Sequence, residues 1–326
     1  MDQKSINRWW PLALSSELDG SIPLARLCAG REYVLFRDGR GVARILEDQC
    51  AHRRAPLSLG RITPQGWLQC PYHGWCFEGK GGECKQIPNL GKGETIPGQY
   101  RVGHFVSAER NGMIFLWSGD PLEADESVLP DFSVSPAKKT AHSGGEGLCL
   151  ITLPQQHFIA TLLDGPSLVI NASQVTVIDD HMLGEPLFSA NHLLVERVAD
   201  WTEKARRRRR VPSDYPLILR TTLHSETDMA LLEWRDAATN TPLLSALVAS
   251  MPVTDCVTAV RWQWSRHSLS NKQLSLVPHR AFERLQFAVN GTLDAAALTK
   301  LHPYVSSIRS GQLDTLAADI IPAARL

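Results

Sequence analysis

The sequence predicts an α+β protein in two parts, a small antiparallel β domain over 1–132 and a larger α+β domain over 133–326. Three features carry that expectation. Residues 5–130 are short apolar runs broken by glycine and proline, the pattern of short strands joined by turns. Residues 133–145 are rich in Ser, Pro, Lys and Gly and poor in apolar groups, as a connector is. Beyond it, longer strand-like runs give way to a stretch at 281–301 with apolar residues at helical spacing. With 326 residues, each part is large enough to bury its own core.

In chain order, strand-like runs at 33–36 and 41–46 flank Asp38-Gly39, a dipeptide suited to a hairpin turn. Further runs follow at 67–69 and 113–117. The second part offers runs at 216–223, 230–234 and 257–264. Leu285, Ala288 and Val289, and then 295–301, mark a terminal helix. No internal repeat is visible.

The chemistry is concentrated in Cys50-Ala51-His52, seventeen residues, and then Cys70-Pro71-Tyr72-His73. Each half-site pairs one thiol with one imidazole. A Rieske [2Fe–2S] cluster requires that set, two thiolates on one iron and two neutral imidazoles on the other. Cys50 and Cys70 would hold the first iron, and His52 and His73 the second. Replacing two thiolates by imidazoles removes negative charge, so such a cluster accepts an electron more readily than an all-cysteine one. Zinc is one alternative, but its half-sites are usually uniform, Cys-x-x-Cys and His-x-x-x-His. Buried structural residues are the other.

With those residues in hand, the stretch from Trp9 to Phe132 resembles the Rieske domain of the Rieske non-haem iron oxygenases (alpha-type oxygenase subunits). Trp9-Trp10-Pro11-Leu12-Ala13 resembles their opening strand, and Arg110-Asn111-Gly112-Met113-Ile114-Phe115-Leu116-Trp117 their closing one. Leu129-Pro130-Asp131-Phe132 resembles the exit into their catalytic domain. Ala55 and Tyr72 stand where cytochrome-type Rieske proteins carry an extra cysteine pair, which points to the oxygenase branch. Arg54 departs from the family, whose members usually have glycine there. The resemblance implies a helix-grip (START-like) α+β fold for the second domain.

It also implies a mononuclear Fe(II) held by two histidines and a carboxylate, with open positions for dioxygen. The histidines normally come from Asp-x-x-His-x-x-x-x-His. That frame falls on Asn171-Ala-Ser-Gln174-Val-Thr-Val-Ile-Asp179, so Gln174 and Asp179 replace the imidazoles and Asn171 the aspartate. Asp294, in Asp294-Ala-Ala-Ala-Leu298, fits the third ligand, or else caps a helix. An amide and two carboxylates favour magnesium, calcium or manganese over iron. The expectation is a degenerate site without catalytic iron. A shifted register would let His181 serve; otherwise His157, His181 and His192 read as structural histidines.

Lysine plus arginine and aspartate plus glutamate number 34 each, so no global field invites nucleic acid or membrane. No stretch approaches about twenty apolar residues, and Met1-Asp2-Gln3-Lys4 begins no signal peptide. Seven cysteines, two of them in the half-sites, leave Cys28, Cys76, Cys84, Cys149 and Cys256. That odd, scattered remainder predicts reduced thiols and a cytoplasmic protein. Cys76 and Cys84 read as packing residues. The run from Arg206 to Arg210 reads as a solvated loop; docking of an acidic ferredoxin or reductase is the alternative, and only Trp201 lies near enough for nucleic-acid stacking.

Gly79-Lys80-Gly81-Gly82 and Gly144-Gly145-Glu146-Gly147 lack the strand–GxGxxG–helix setting and read as turns. Electrons must therefore come from an NAD(P)H-dependent reductase, with or without a ferredoxin. The resemblance implies a head-to-tail trimer, homomeric or mixed with a paralogous oxygenase subunit, in which one chain's cluster feeds its neighbour's iron. Three functions stay open. The first is an oxygenase component that passes electrons to a partner's iron. The second is a self-sufficient enzyme that hydroxylates or demethylates a cyclic small molecule. The third is a redox sensor or ligand-binding protein without turnover.

Overall fold

Among the described residues of the first unit, eleven strands run from β1 to β11: β1 (Trp9–Leu14), β2 (Leu24–Cys28), β3 (Arg31–Arg37), β4 (Ala43–Glu47), β5 (Arg61–Ile62), β6 (Leu68–Gln69), β7 (Cys76–Phe77), β8 (Cys84–Gln86), β9 (His104–Phe105), β10 (Ser107–Arg110) and β11 (Met113–Trp117). The computed structural model describes residues 7–20, 22–91, 94–132, 144–168, 170–172, 175–189, 191–203, 207, 216–267 and 285–287. By its internal packing the chain divides between Asp131 and Phe132.

Three antiparallel sheets build the first unit: β1-β11-β10, β2-β3-β4-β9 and β5-β6-β7-β8. β1 and β11 are buried along their whole lengths, which explains their unbroken apolar sequences. Asn111 and Gly112, at φ 53° and 71°, join β10 to β11 in the left-handed pair that a tight hairpin needs. At the Asp38-Gly39 turn, the Asp38 carboxylate accepts the backbone N–H groups of Arg40 and Val42.

The second unit holds β12 (Gly144–Ile151), α1 (Gln155–Asp164), β13 (Ile170–Ala172), β14 (Val175–Met182), β15 (Leu187–Ser189), β16 (His192–Trp201), β17 (Leu217–His224), β18 (Met229–Asp236), β19 (Pro242–Thr254), β20 (Val257–Arg266) and β21 (Leu285–Phe287). Eight strands form one antiparallel sheet in the order β12-β20-β19-β18-β17-β16-β14, with β15 also on β16. β16 alternates strictly between half-buried and buried residues, as a strand with one covered face must. The single α-helix among the described residues supplies Phe158, Ile159, Leu162 and Leu163 to a core that also holds Val195, Leu219, Trp234 and Val248. Sequence reading missed this helix. Its apolar residues at 158, 159, 162 and 163, with Gly165 at the C-cap, were the available signal.

Two expectations are corrected. Gly144-Gly145-Glu146-Gly147 is no turn; it opens the edge strand β12. Gly145 pairs with Trp264 and Gly147 with Trp262, and a Cβ at either glycine would stand 2.7 or 2.4 Å from the indole. The glycines leave room for two tryptophans to lie over the edge. Residues 285–287, expected as helix, form β21, which pairs antiparallel with β13. Backbone bonding to β13 overrides local helical periodicity there. The rest of 281–301, residues 133–143 of the expected connector 133–145 and most of the arginine run lie outside the described residues, while Gly144 and Gly145 belong to β12 and not to a connector.

Arg197 fastens helix to sheet. It is 2% exposed, yet its guanidinium donates to the Leu163 carbonyl and lies 3.4 Å from the Asp164 carboxylate at the end of α1. A cation there complements the negative end of the helix dipole and satisfies a terminal carbonyl. Arg197→Ala leaves those acceptors buried without their donor and lowers stability by about 3 kcal/mol, measurable by urea unfolding followed by far-UV circular dichroism.

Candidate metal centre

Two loops with matching hydrogen bonds carry the cysteine–histidine half-sites. After β4, the Cys50 N–H donates to the Ala55 carbonyl at 2.9 Å and the Arg54 N–H to the Cys50 carbonyl at 2.8 Å. After β6, the Cys70 N–H donates to the Trp75 carbonyl at 2.8 Å and the Gly74 N–H to the Cys70 carbonyl at 3.1 Å. Both loops turn through a left-handed residue at the same place, Arg54 at φ 54° and Gly74 at φ 71°. Arg54 thus adopts the conformation that glycine adopts without strain.

This folding buries the thiols and presents the imidazoles. Cys50 and Cys70 are 2% and 3% exposed, in a core with Val34, Phe36, Leu57, Leu68 and Phe77. His52 and His73 are exposed, their rings 4.6 Å apart. His52 stacks on Trp75 at 4.7 Å with 2° between the planes, and Trp75 packs on Tyr100. Tyr72 lies 3.9 Å from His73. At the base of the first loop, buried Asp48 accepts the Ser58 N–H at 2.7 Å and its hydroxyl at 2.5 Å.

Desolvation, with Cys70 beside it, pushes the Cys50 thiol up to about 11. His52 is held below its ordinary value by desolvation, then by His73 and Arg53. The lowered His52 favours the neutral imidazole that ligates a metal, whereas binding at Cys50 must displace a thiol proton. Two buried thiols and two paired, exposed imidazoles are the donor set that a two-iron Rieske cluster takes. Cys76 and Cys84 are buried thiols that donate to the Gly74 and Gln86 carbonyls, and all seven cysteines are free.

A family model described as the Rieske [2Fe–2S] domain matches residues 8–100. The oxygenase component of dicamba O-demethylase from Stenotrophomonas maltophilia is 43% identical over 143 residues, covering 43% of this chain and 40% of that protein. Chloroplastic chlorophyllide a oxygenase from Chlamydomonas reinhardtii is 34% identical over 160 residues, 48% of this chain and 23% of that protein. Over residues 8–100 the chain carries a Rieske [2Fe–2S] domain. Its matches span two fifths or less of these curated relatives. A crystal structure of dicamba monooxygenase bound to dicamba shares the fold over 98% of this chain and 92% of that one, with TM-score 0.65 and 23% identity. NdmB of Pseudomonas putida CBB5 does so over 100% and 86%, with TM-score 0.59 and 14% identity.

Of the second candidate site, two residues lie on described strands. Asn171 lies on β13, opposite Gln286, and Asp179 lies on β14; Gln174 and Asp294 fall outside the described residues. His181 is exposed on β14 and His157 exposed on α1. The frame Asp-x-x-His-x-x-x-x-His has a second placement that sequence reading missed, on Asp164, Ser167 and Ala172. There the aspartate is kept and both imidazoles are again absent. Asp164 ends α1 and pairs with Arg197.

His192 and His224 face each other across β16 and β17, their rings 5.0 Å apart, with Phe132 edge-on to both. His224 is buried, and its Nδ1 lies 3.0 Å from the Thr227 hydroxyl. Desolvation, and then His192, push its pKa down to about 4, against an opposing pull from Asp228.

Two predictions follow from these geometries. Arg54→Gly relieves a left-handed residue and raises stability by about 1 kcal/mol, whereas Gly74→Ala, strained at φ 71° and 3.0 Å from Pro88 Cγ, loses a similar amount. Urea midpoints of the cluster-loaded protein check both. His224 is neutral when folded, so the unfolded chain binds its proton first. Its contribution is complete above about pH 6.5 and is lost as pH falls toward about 4. His224→Gln flattens the pH dependence of the urea midpoint in that window.

Proposed function

We propose that this chain is the electron-transferring component of a Rieske-type oxygenase, with Cys50, His52, Cys70 and His73 as the cluster ligands. The matched closure of the two loops carries the reading, because it sets two buried thiols and two paired, exposed imidazoles on one small scaffold. When bound, the cluster supplies reversible one-electron transfer. Cys50 and Cys70 give up their protons to bind it. Trp75 fixes the plane of His52 by stacking, and Asp48 holds the first loop closed through Ser58.

The second unit is a helix-grip domain whose own mononuclear site is degenerate, and the frame supports this in both placements. Gln174 with Asp179, or Ser167 with Ala172, stands where two imidazoles belong. Neither pair suits Fe(II). Asp294 remains a carboxylate without histidine companions in that frame. The chain then takes electrons from an NAD(P)H-dependent reductase or its ferredoxin and passes them to the iron of a homologous subunit in a trimer. The substrate acted on there is a cyclic small molecule. Cytoplasmic placement rests on the reduced thiols; no helix among the described residues is long and apolar enough to cross a membrane.

Iron and acid-labile sulfide counting on the purified chain tests this. The expected result is about two of each per chain, with the visible and EPR signature of a Rieske centre. Cys50→Ala gives colourless protein. A third iron that is lost in His181→Ala establishes the self-sufficient enzyme instead, and retention of the Rieske signature in Cys50→Ala overturns the ligand assignment.

A further inference from the structure

Beside the second cluster loop lies a cavity of about 350 Å³ lined by Leu59, Gly60, Arg61, Gln69, Cys70, Pro71 and Gly74. It reaches a cluster-ligand residue, Cys70, from the protein's exterior. Its wall is fixed by backbone approach: a Cβ at Gly60 would stand 2.0 Å from the Gln69 carbonyl oxygen. Arg61 is set in place rather than loose. Its Nε donates to Gln69 Oε1 at 2.6 Å, and the Gln69 amide donates to the Gly74 carbonyl at 3.2 Å. Leu59 stands at the rim, 73% exposed, while its neighbour Leu57 is fully buried and anchors the turn.

Charge identifies the occupant. Between Asp48 and Glu78 the sequence has Arg53, Arg54 and Arg61 and no acidic residue, in a chain whose net charge is zero. Asp48 itself is buried on Ser58. Among the described residues Arg61 has no carboxylate partner. One fixed guanidinium beside one exposed apolar side chain, at a cavity that reaches Cys70, suits a protein with an acidic face.

We propose that the Leu59–Arg61 cavity is the docking seat of an acidic electron-donor protein, which places a carboxylate on Arg61 and an apolar side chain against Leu59. This rests on the cluster assignment above. It assigns electron entry to the Cys70 side of the centre, leaving the His52–His73 edge for the electron's exit, and it assigns no docking role to the run at 206–210.

The probe is a reduced plant-type [2Fe–2S] ferredoxin, a strongly acidic one-electron carrier, mixed by stopped flow with the oxidised cluster-loaded chain. Cluster bleaching is read against ionic strength. Arg61→Glu should slow second-order reduction at low salt by about tenfold or more, and Leu59→Ser, a change at an exposed side chain, by several-fold. Arg40→Glu makes the same charge change in the β3–β4 turn and should stay within about twofold of the unaltered chain. Added salt should slow the unaltered chain toward the Arg61→Glu rate. Bleaching by dithionite reports that the cluster itself is intact in each variant. If Arg61→Glu loses the cluster, Arg61→Gln and Leu59→Ser carry the measurement. Rates equal to that of Arg40→Glu overturn the docking seat, as does a change of oligomeric mass with reduction unaltered, which would make the cavity a subunit contact. An unaltered chain without iron and sulfide refutes the cluster assignment instead, before any docking is measured.

Discussion

Everything at the metal centre depends on one repeated hydrogen-bonding device. In each loop a cysteine N–H reaches the carbonyl five residues on, and the cysteine's own carbonyl is met by the N–H four residues on. A ring closed twice in this way holds the thiol inward and lifts the histidine outward, whatever the outer residues are. It also demands a left-handed residue at its fourth position, filled by glycine in one loop and by arginine in the other. An arginine held there at a strain cost is unusual, and it adds positive charge to a stretch, residues 49–77, that has no acidic residue.

The two units handle buried polarity in different ways. In the first, the buried carboxylate of Asp48 is satisfied within ten residues of sequence, by Ser58. In the second, the buried guanidinium of Arg197 is satisfied across the core, by the end of α1. Both devices obey the same rule, that a buried charge survives only with partners. The local one shapes a loop. The distant one fixes a helix on a sheet and takes up Asp164, the one carboxylate kept by the second placement of the histidine frame. Asp164 is thereby held at the end of α1 by a side chain of the sheet.

The proposed division of labour between chains rests on two features, the closed loops of the first unit and the missing imidazoles in both placements of the second unit's frame. Sequence similarity to curated oxygenases covers less than half of the chain, whereas the shared fold runs through nearly all of it.

The sequence by itself determined the cluster motif, because each half-site spans only three or four residues and the ligands name their chemistry. It also determined several strands of the first unit, where Met113–Trp117 and the turn at Asp38-Gly39 are local decisions of apolar pattern and turn residues. Tertiary structure decided the rest. Gly144-Gly145-Glu146-Gly147 becomes a strand only because Trp262 and Trp264, more than a hundred residues later, supply the surface its glycines lack. Leu285–Phe287 becomes a strand because β13 offers it a partner. The histidine frame has two placements that sequence spacing weighs equally, and what separates them, Asp164 at a helix end held by Arg197, is a contact across thirty-three positions. Spacing reads chemistry that lies within a turn; it is silent where the deciding partner is brought in by the fold.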